Sequence, residues 1–512
     1  MKKLMNIYES CKTPIRVTYF GFFLLAFGFL IKSNSFNVFY TFRSTTILFL
    51  AEFASKVGEF IIMNLPLIFM MYIVCKKANN SSPIVMALVG YFTFIVTTML
   101  LANQNLNAQA YSSGYGINSV FNISGSTRLP LETGMIGSIL VALITRFSFI
   151  FSRHRRDFSI TNIFSKEITG IIYNFVLCFI LGVFISYTYP YLYQNIQRAI
   201  SFISADLSDP FRIGLYSVLD RVLCILGLGN VIRYPFWFTA TGGSLSNVVT
   251  GQNILGDINI WKYIQESSAT YLGAGRFISP YYVINMFIVP GIYLGTLLSM
   301  SDKKDRRYLI FTFVCGIILS FIAGNPLPLE LLMLFTSPAL LIMYLILVGV
   351  VSGTLVNLDA YLGFVTSNTN TIVAMPGSFV DFVINLRNSS LSHSLQTIFL
   401  VGLASFAAMF IITMFYYRYL AFDFVQTGSG AEFVDKLVEA VGGIENISDA
   451  GSGLFKLNIY LSETEKISLE KMQELGIRRI VETRNGLAFD VGTSANAISR
   501  DIRKRIKVAA AQ

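Results

Sequence analysis

Two short segments within the apolar part of the chain hold side chains able to do chemistry. The first reads Gly227-Leu228-Gly229-Asn230-Val231-Ile232-Arg233-Tyr234-Pro235-Phe236-Trp237-Phe238, and the second Gly324-Asn325-Pro326-Leu327-Pro328-Leu329-Glu330. Glu330 is an acid at the start of a long apolar stretch, a position that is unfavourable unless the carboxylate faces a cavity or a partner. Arg233 is a candidate for that partner. Asn230 and Asn325 supply amides, each both donor and acceptor, able to pair with the hydroxyl groups of a solute. Tyr234, Phe236 and Trp237 supply aromatic faces, although anchoring at a membrane–water interface is the commoner role of such residues. Asn230, Arg233, Asn325 and Glu330 are therefore the candidate substrate-binding residues, with an inert structural role as the competing reading.

Nucleophiles and metal ligands are sparse. The five cysteines, Cys11, Cys75, Cys178, Cys224 and Cys315, are scattered singly and form no disulfide framework. The two histidines are His154, among arginines, and His393, between Ser392 and Ser394. Both read as solvated loop residues. No metal and no cofactor is expected.

The elements that must position these groups are membrane helices. A chain of 512 residues that is 54% hydrophobic and holds 45 Phe, with mean hydropathy +0.60, is not a soluble globular protein. Apolar stretches of bilayer-crossing length recur at Val17–Ile31, Val57–Val74, Ile84–Ala102, Gly134–Phe151 and Ile168–Tyr187, then at Ile213–Leu228, Tyr281–Leu298, Tyr308–Ala323, Leu329–Val351 and Gln396–Tyr417. That makes about ten spans, and few carry the polar face that a buried helix of a soluble protein would show. Residues 1–16 are too polar for a signal peptide.

The formal net charge of +10 sits in loops. Lys2, Lys3, Lys12, Lys76, Lys77 and Arg153-His154-Arg155-Arg156 mark the cytoplasmic side by the positive-inside rule, while the Asn103–Leu129 loop, with a single Arg, suits the outer face. Topology explains this charge and nucleic-acid binding does not. Simple alternation fails after Tyr187, because it would place Lys303-Lys304-Asp305-Arg306-Arg307 outside. Segments between Tyr191 and Thr270 must cross, re-enter or lie flat; Gln194–Ala205 is a candidate interfacial helix. Interruptions by Pro, Gly and Asn are expected where broken helices surround a cavity.

From Gly428 onward the chain turns polar and reads helix, strand, helix, strand, turn, strand, helix. Its first helix ends at Gly442-Gly443, and Arg484-Asn485-Gly486 is a hairpin signal because Asn-Gly tolerates positive φ. Ser494 is placed to cap a last helix, Ala495–Val508, whose basic end suits the helix dipole. Gln426–Gly430 reads as a linker. The chain thus divides into a transmembrane part at 1–425, the linker at 426–430 and a small α/β tail at 431–512.

Several phrases carry a family resemblance. Gly442-Gly443-Ile444-Glu445-Asn446-Ile447 resembles the opening of the B domain of glucose-superfamily sugar phosphotransferase permeases (enzyme IIBC). Asn64-Leu65-Pro66-Leu67-Ile68-Phe69, with Ala87-Leu88-Val89-Gly90-Tyr91 beyond it, resembles the Asn-Leu-Pro region of glucose- and maltose-type C domains. Thr133-Gly134-Met135-Ile136-Gly137-Ser138-Ile139 is similar to their Thr-Gly-Val-Phe-Gly-Gly-Ile stretch. The resemblance runs along nearly the whole chain. It implies a polytopic α-helical enzyme IIC of the elevator type with two re-entrant hairpins, working as a homodimer in the lipid bilayer of the bacterial inner membrane. It also implies an enzyme IIB-like tail on the cytoplasmic side. The implied partners are a sugar or similar small solute and phosphotransferase-system proteins, and not nucleic acid.

The chain departs from the family at the positions that carry chemistry. The family's phosphate-bearing cysteine lies in a pattern of the type Asp-Ala-Cys-Ile-Thr-Arg-Leu-Arg. Here Gly453 replaces it within Gly451-Ser452-Gly453-Leu454-Phe455-Lys456-Leu457-Asn458, and no cysteine follows Cys315. Phosphocysteine chemistry needs an ionised thiol near positive charge, and neighbouring Ser452 has no base beside it. In the family's Gly-Leu-His-His segment both histidines are replaced, by Gly229 and Asn230. In its Gly-Ile-Thr-Glu-Pro-Ile-Glu tip the first glutamate is Leu327, and the second persists as Glu330.

Three readings follow. The first is a permease that moves a sugar or similar solute without phosphorylating it. The second is a membrane sensor whose cysteine-free tail docks a partner through Arg478, Arg479, Arg500, Arg503, Lys504 and Arg505. The third is a phosphotransferase that borrows a B domain from another chain.

Overall fold

Proline and glycine decide where the apolar stretches run straight and where they bend. The computed structural model describes residues 2–32, 41–75, 81–102, 106–111, 128–153, 166–247, 251–267, 271–300, 303–365, 371, 373–420, 430–475, 477, 480–483 and 486–509. The first helices are α1 (Lys2–Lys32), α2 (Thr45–Met63), α3 (Leu65–Cys75), α4 (Ser82–Leu101), α5 (Gly134–Arg153) and α6 (Lys166–Ser204). Two short helices follow, α7 (Pro210–Ile225) and α8 (Gly229–Phe238). A small hairpin β1 (Ser244–Ser246)–β2 (Asn253–Leu255) leads into α9 (Asp257–Glu266). Next come α10 (Ser279–Ser299), α11 (Lys303–Ala323), α12 (Leu327–Thr336), α13 (Pro338–Asn357), α14 (Phe379–Asn385) and α15 (Ser392–Phe415).

Seven of the described helices are long and apolar enough to cross a membrane, or eight with one bent pair, against the expected ten or so. Each difference has a local cause. Val57–Val74 is not one straight span: α2 and α3 meet at 59°, because Pro66 has no N–H for the helix ladder. Asn64 patches the break, its Nδ2 donating to the Phe60 carbonyl at 2.8 Å. Leu329–Val351 is broken at Ser337-Pro338 into α12 and α13. Ile213–Leu228 is the 16-residue α7, which starts at Pro210 under an Asp209 cap and carries a charged pair, Asp220-Arg221. The apolar part of α11 runs only from Leu309 to Ala323.

Gln194–Ala205 is not a separate surface helix. It continues α6, a single helix of 39 residues, which at 1.5 Å per residue is about 58 Å long and overruns a hydrocarbon core of about 30 Å. At the centre stands α10, with 83% of its apolar window buried and a π-helical turn at Ile284–Ile288. Outside the spans, the buried carboxylate of Asp257 opens α9 and accepts the N–H groups of Gly275 at 2.7 Å and Phe277 at 3.3 Å. Burial pushes this carboxyl up to about 7.

Glycines set the approach of α1 to α2. A Cβ added at Gly58 would lie 2.6 Å from both the Gly21 carbonyl oxygen and the Leu25 nitrogen, and one at Gly28 would lie 2.3 Å from the Ala51 carbonyl oxygen. Small residues at such contacts let backbones pack closely in lipid. Gly58→Ala is expected to cost about 1–3 kcal/mol by overpacking. A thermal melt of the detergent-purified protein would read this, with outward-facing Phe49→Leu as the neutral control; equal melts for wild type and Gly58→Ala would refute it.

The C-terminal residues form their own hydrophobic core, from Val434 to Ile502. Of the expected linker Gln426–Gly430, residues 426–429 lie outside the described residues. The elements are α16 (Gly430–Ala440), β3 (Ile447–Ser452), β4 (Lys456–Leu461), α17 (Leu469–Glu474), β5 (Ile480–Thr483), β6 (Gly486–Asp490) and α18 (Ala495–Ala509). The strands make one antiparallel sheet in the order β3-β4-β6-β5. Two strands stand where the sequence reading has one, because Ser452 closes β3 and the Gly453 N–H donates to the Lys456 carbonyl across a turn at 2.9 Å. The expected hairpin registers Thr483 opposite Gly486; Arg484 and Asn485 lie outside the described residues. Gly442 and Gly443 have φ of +92° and +93°, and the Gly443 N–H closes α16 on the Val438 carbonyl at 2.8 Å. Ser494 does not cap α18: its buried hydroxyl has no hydrogen-bond partner among the described residues.

Candidate functional site

The first polar segment begins where α7 ends. Gly227 takes φ +76°, and the Leu228 N–H turns back to the Leu223 carbonyl at 2.7 Å. The Thr133-Gly134 phrase packs on this turn: the Met135 N–H donates to the Leu226 carbonyl at 2.9 Å, and a Cβ on Gly134 would come within 2.3 Å of that same oxygen. A Cβ at Gly229, one of the two positions where the family pattern has histidine, would lie 2.6 Å from Cys224 Sγ. A larger side chain enters there only if Cys224 moves. The second segment turns at Gly324, φ +72°, against Met375 and Pro376.

Between the two segments lies a chain of buried charges. Asp220 accepts from Arg221 through Nε at 3.0 Å and Nη2 at 2.9 Å, and from Arg233 through Nε at 2.6 Å and Nη2 at 3.3 Å. Tyr281 donates its hydroxyl to the same carboxylate, and the Cys224 thiol lies 3.5 Å from it. Arg221 reaches onward through Nη1 to Glu330 Oε1 at 3.2 Å, which also accepts the Tyr344 hydroxyl at 2.6 Å. The remaining oxygen, Glu330 Oε2, has no partner among the described residues. Two guanidiniums and two carboxylates balance, none of the four residues more than 4% exposed and Glu330 at 0%. Buried ions of this kind are tolerated only when paired and hydrogen-bonded.

Both arginines border a cavity of about 30 Å³ together with Cys224, Gly229, Tyr281, Asn325 and Leu327. That volume holds about two water molecules. The four predicted binding residues separate around it. Arg233 and Asn325 line it. Asn230 and Glu330 do not; Asn230 accepts the Thr371 hydroxyl at 2.8 Å, and Glu330 stands behind Arg221. Arg233 pairs with Asp220 rather than with Glu330, whose cation is Arg221. Asn325 spends its Oδ1 on the Leu327 N–H at 3.0 Å, at the start of α12.

Phe236 and Trp237 serve neither as interfacial anchors nor as cavity walls. Both are fully buried; the Trp237 indole donates to Tyr216 at 3.0 Å, and its ring lies 5.1 Å from the Arg233 guanidinium. His393 is an exposed residue in the first turn of α15, bonded through Nε2 to the Leu358 carbonyl at 3.0 Å, while His154 lies outside the described residues.

Asp220, Arg221, Tyr281 and Tyr344 are absent from the sequence reading of the site. An Asp-Arg pair inside the apolar run Ile213–Leu228 is the signal that could have found them, since charges inside such a run demand partners.

In the tail, Gly453 lies in the β3–β4 turn, tied down on the far side by Val491 and Gly492, whose N–H groups donate to the Phe455 carbonyl at 2.9 and 3.1 Å. Of the basic residues expected to form a docking face, Arg503 pairs with Asp449 at 2.8 Å and Arg505 with Asp435 and Asp501. Arg478 and Arg479 lie outside the described residues.

Comparison with known proteins places this geometry. Residues 12–349 match the family model described as "Phosphotransferase system, EIIC". The "PTS system glucose-specific EIICBA component" of Staphylococcus saprophyticus subsp. saprophyticus is 24% identical over 520 residues, covering 98% of this chain and 72% of the relative. The protein of the same description from Staphylococcus carnosus is 23% identical over 526 residues, covering 98% and 73%. With more than half of its length matched by that model, and apolar helices of membrane-crossing length carrying the match, the chain belongs to the phosphotransferase-system EIIC family as a glucose-type permease homologue.

Proposed function

We propose that the protein moves a sugar or similar small solute across the bacterial inner membrane without phosphorylating it. The observation that carries this reading is the tail, which keeps a folded sheet and core yet has Gly453 in the turn where the family pattern has its phosphate-bearing cysteine, with no cysteine beyond Cys315. A glycine has no side chain to phosphorylate, and a turn serine lacks the activation a thiolate has. The membrane part adds to this support: the cavity between the two polar segments presents Leu327 and Gly229 where acid and histidine would act, beside Arg221 and Arg233.

In this reading residues 1–425 form the transport unit, with Arg233 and Asn325 bordering the solute and Glu330 and Asn230 holding the cavity walls. Residues 426–430 are a linker, and 431–512 an enzyme IIB-like domain on the cytoplasmic side. The unit works as a homodimer by elevator motion, with the two polar segments in its re-entrant hairpins. A cavity of about 30 Å³ is then the closed state, which must widen to admit a hexose.

Uptake of labelled glucose and other common hexoses into cells whose only candidate carrier is this protein tests the reading. Unmodified sugar is expected inside, and Arg233→Ala is expected to lower uptake about tenfold or more, the value of a lost hydrogen bond to a charged group. Sugar phosphate made at the carrier would point to a borrowed B domain. No uptake with stable expression would favour the sensor reading.

A further inference from the structure

We propose that Glu330 carries a proton and that each solute crossing through this site is coupled to the movement of that proton; the proposal rests on the permease reading above. The two acids of the buried cluster are held differently. Both oxygens of Asp220 are engaged, by two guanidiniums, the Tyr281 hydroxyl and the Cys224 thiol. Glu330 has both of its donors, Arg221 and Tyr344, on Oε1, and leaves Oε2 with no partner among the described residues at zero exposure. A buried carboxylate with a bare oxygen is an expensive arrangement; a proton on Oε2 removes that charge but leaves two guanidiniums facing Asp220 alone, an imbalance that an acceptor oxygen of a bound solute at Arg221 offsets. Acids facing the interior of a membrane bundle commonly serve as proton relays.

The link to the solute is Arg221. It borders the cavity and is also the cation of Glu330. Asp220 and Glu330 engage its Nε, Nη1 and Nη2, which leaves donor capacity on a guanidinium with five N–H groups. An acceptor oxygen of a solute entering the cavity competes with Glu330 for this guanidinium, and a carboxylate that loses its cation takes up a proton more readily. The O–H bond on Oε2 forms with a proton from water on the side the cavity faces. It breaks when the solute leaves and Arg221 returns, releasing the proton on the other side; no electrons are transferred.

The groups that face Glu330 fit this role. Helix α7 brings Arg221, Asp220 and Cys224, α8 brings Arg233, α10 brings Tyr281 and α13 brings Tyr344. Helix α1 contributes Phe22 to the cavity, and its charged residues with described side chains, Arg16 and Lys32, are exposed. Glu330 is the one titratable residue of α12. Among the described residues, only Arg221 and Tyr344 donate to Glu330 and so hold the proton off.

Two measurements on the full-length protein in lipid test the proposal. Infrared difference spectra over a pH titration should contain a protonated-carboxyl band that disappears in Glu330→Gln. In Tyr344→Phe the midpoint of that band should move to higher pH, since a donor to the charged form is lost; this shift would not arise from a structural role alone. In vesicles, labelled hexose should accumulate under an inward proton gradient and cease to accumulate with a protonophore, and Glu330→Gln uptake should be blind to the gradient. Hexose movement indifferent to the gradient in the wild type, or a carboxyl band unaltered by Glu330→Gln and Tyr344→Phe, overturns the coupling while leaving the permease intact. No hexose movement under any condition overturns both.

Discussion

Asp220→Ala is expected to be the most damaging single substitution in the membrane part, lowering its stability by about 3–5 kcal/mol, the range for a buried ion pair that loses one member. Asp220 is the common acceptor of Arg221, Arg233 and Tyr281. Its removal leaves two guanidiniums facing one carboxylate, Glu330, in a region closed to solvent. Of its present acceptors, Arg233 would keep the Thr371 carbonyl, at 2.9 Å. The companion experiment is Asp220→Leu with Arg233→Met, which removes one charge of each sign. That pair is expected to recover much of the loss, because replacing a buried ion pair by apolar groups of similar volume is often neutral. Melting of the purified single and double variants checks both statements. Additive losses would mean that the charges do not act as a unit.

The same cluster shows what can be read in the chain before folding. Membrane helices, the punctuation by proline, the polar tail and the exceptional acid Glu330 all follow from local composition and period. Partnership does not. Arg221 and Glu330 are 109 positions apart, and within α7 the charged pair occupies two positions of a run that otherwise reads as an apolar span. Arg233 is the visible cation and so draws the expectation of pairing with Glu330; only the fold shows that Asp220 takes it. In the tail, β4 shows the alternation expected of a strand around Leu457 and Ile459, whereas β3 does not, so two strands read as one; the turn between them is closed by a backbone hydrogen bond, Gly453 to Lys456. The bend at Asn64 is written in Pro66, but its 59° angle depends on the neighbours it packs against.

If the tail lacks its phosphate carrier, as proposed, Gly453→Cys alone is expected not to bring about phosphotransfer to sugar. Gly453 is not among the glycines held at positive φ, so its backbone conformation does not by itself bar a cysteine. Its electrostatic setting is poor: Lys456 is the one basic residue of the following strand, and Arg503 is committed to Asp449 nearer the other end of β3. A thiol beside one lysine is less readily ionised than one among several cations and reacts more slowly. Even a phosphorylated thiol on that turn would meet a cavity whose described lining presents no free base. Asp220 accepts five donated bonds from Arg221, Arg233 and Tyr281, position 229 cannot host a ring unless Cys224 moves, and Leu327 presents methyl groups. A positioned base contributes about 10²–10⁴-fold to such a step. Sugar phosphate from Gly453→Cys, supplied with phosphotransfer donor proteins, is therefore expected to stay near background. Adding Leu327→Glu, which places a carboxylate in the cavity wall near Arg221 and Arg233, is expected to raise it. If Gly453→Cys alone gives full phosphorylation, the membrane site is already competent and the proposed lack of chemistry comes down to one residue of the tail. If the double variant gives no more than the single, proton removal is not what the cavity lacks, and the histidine positions at 229 and 230 become the next to restore.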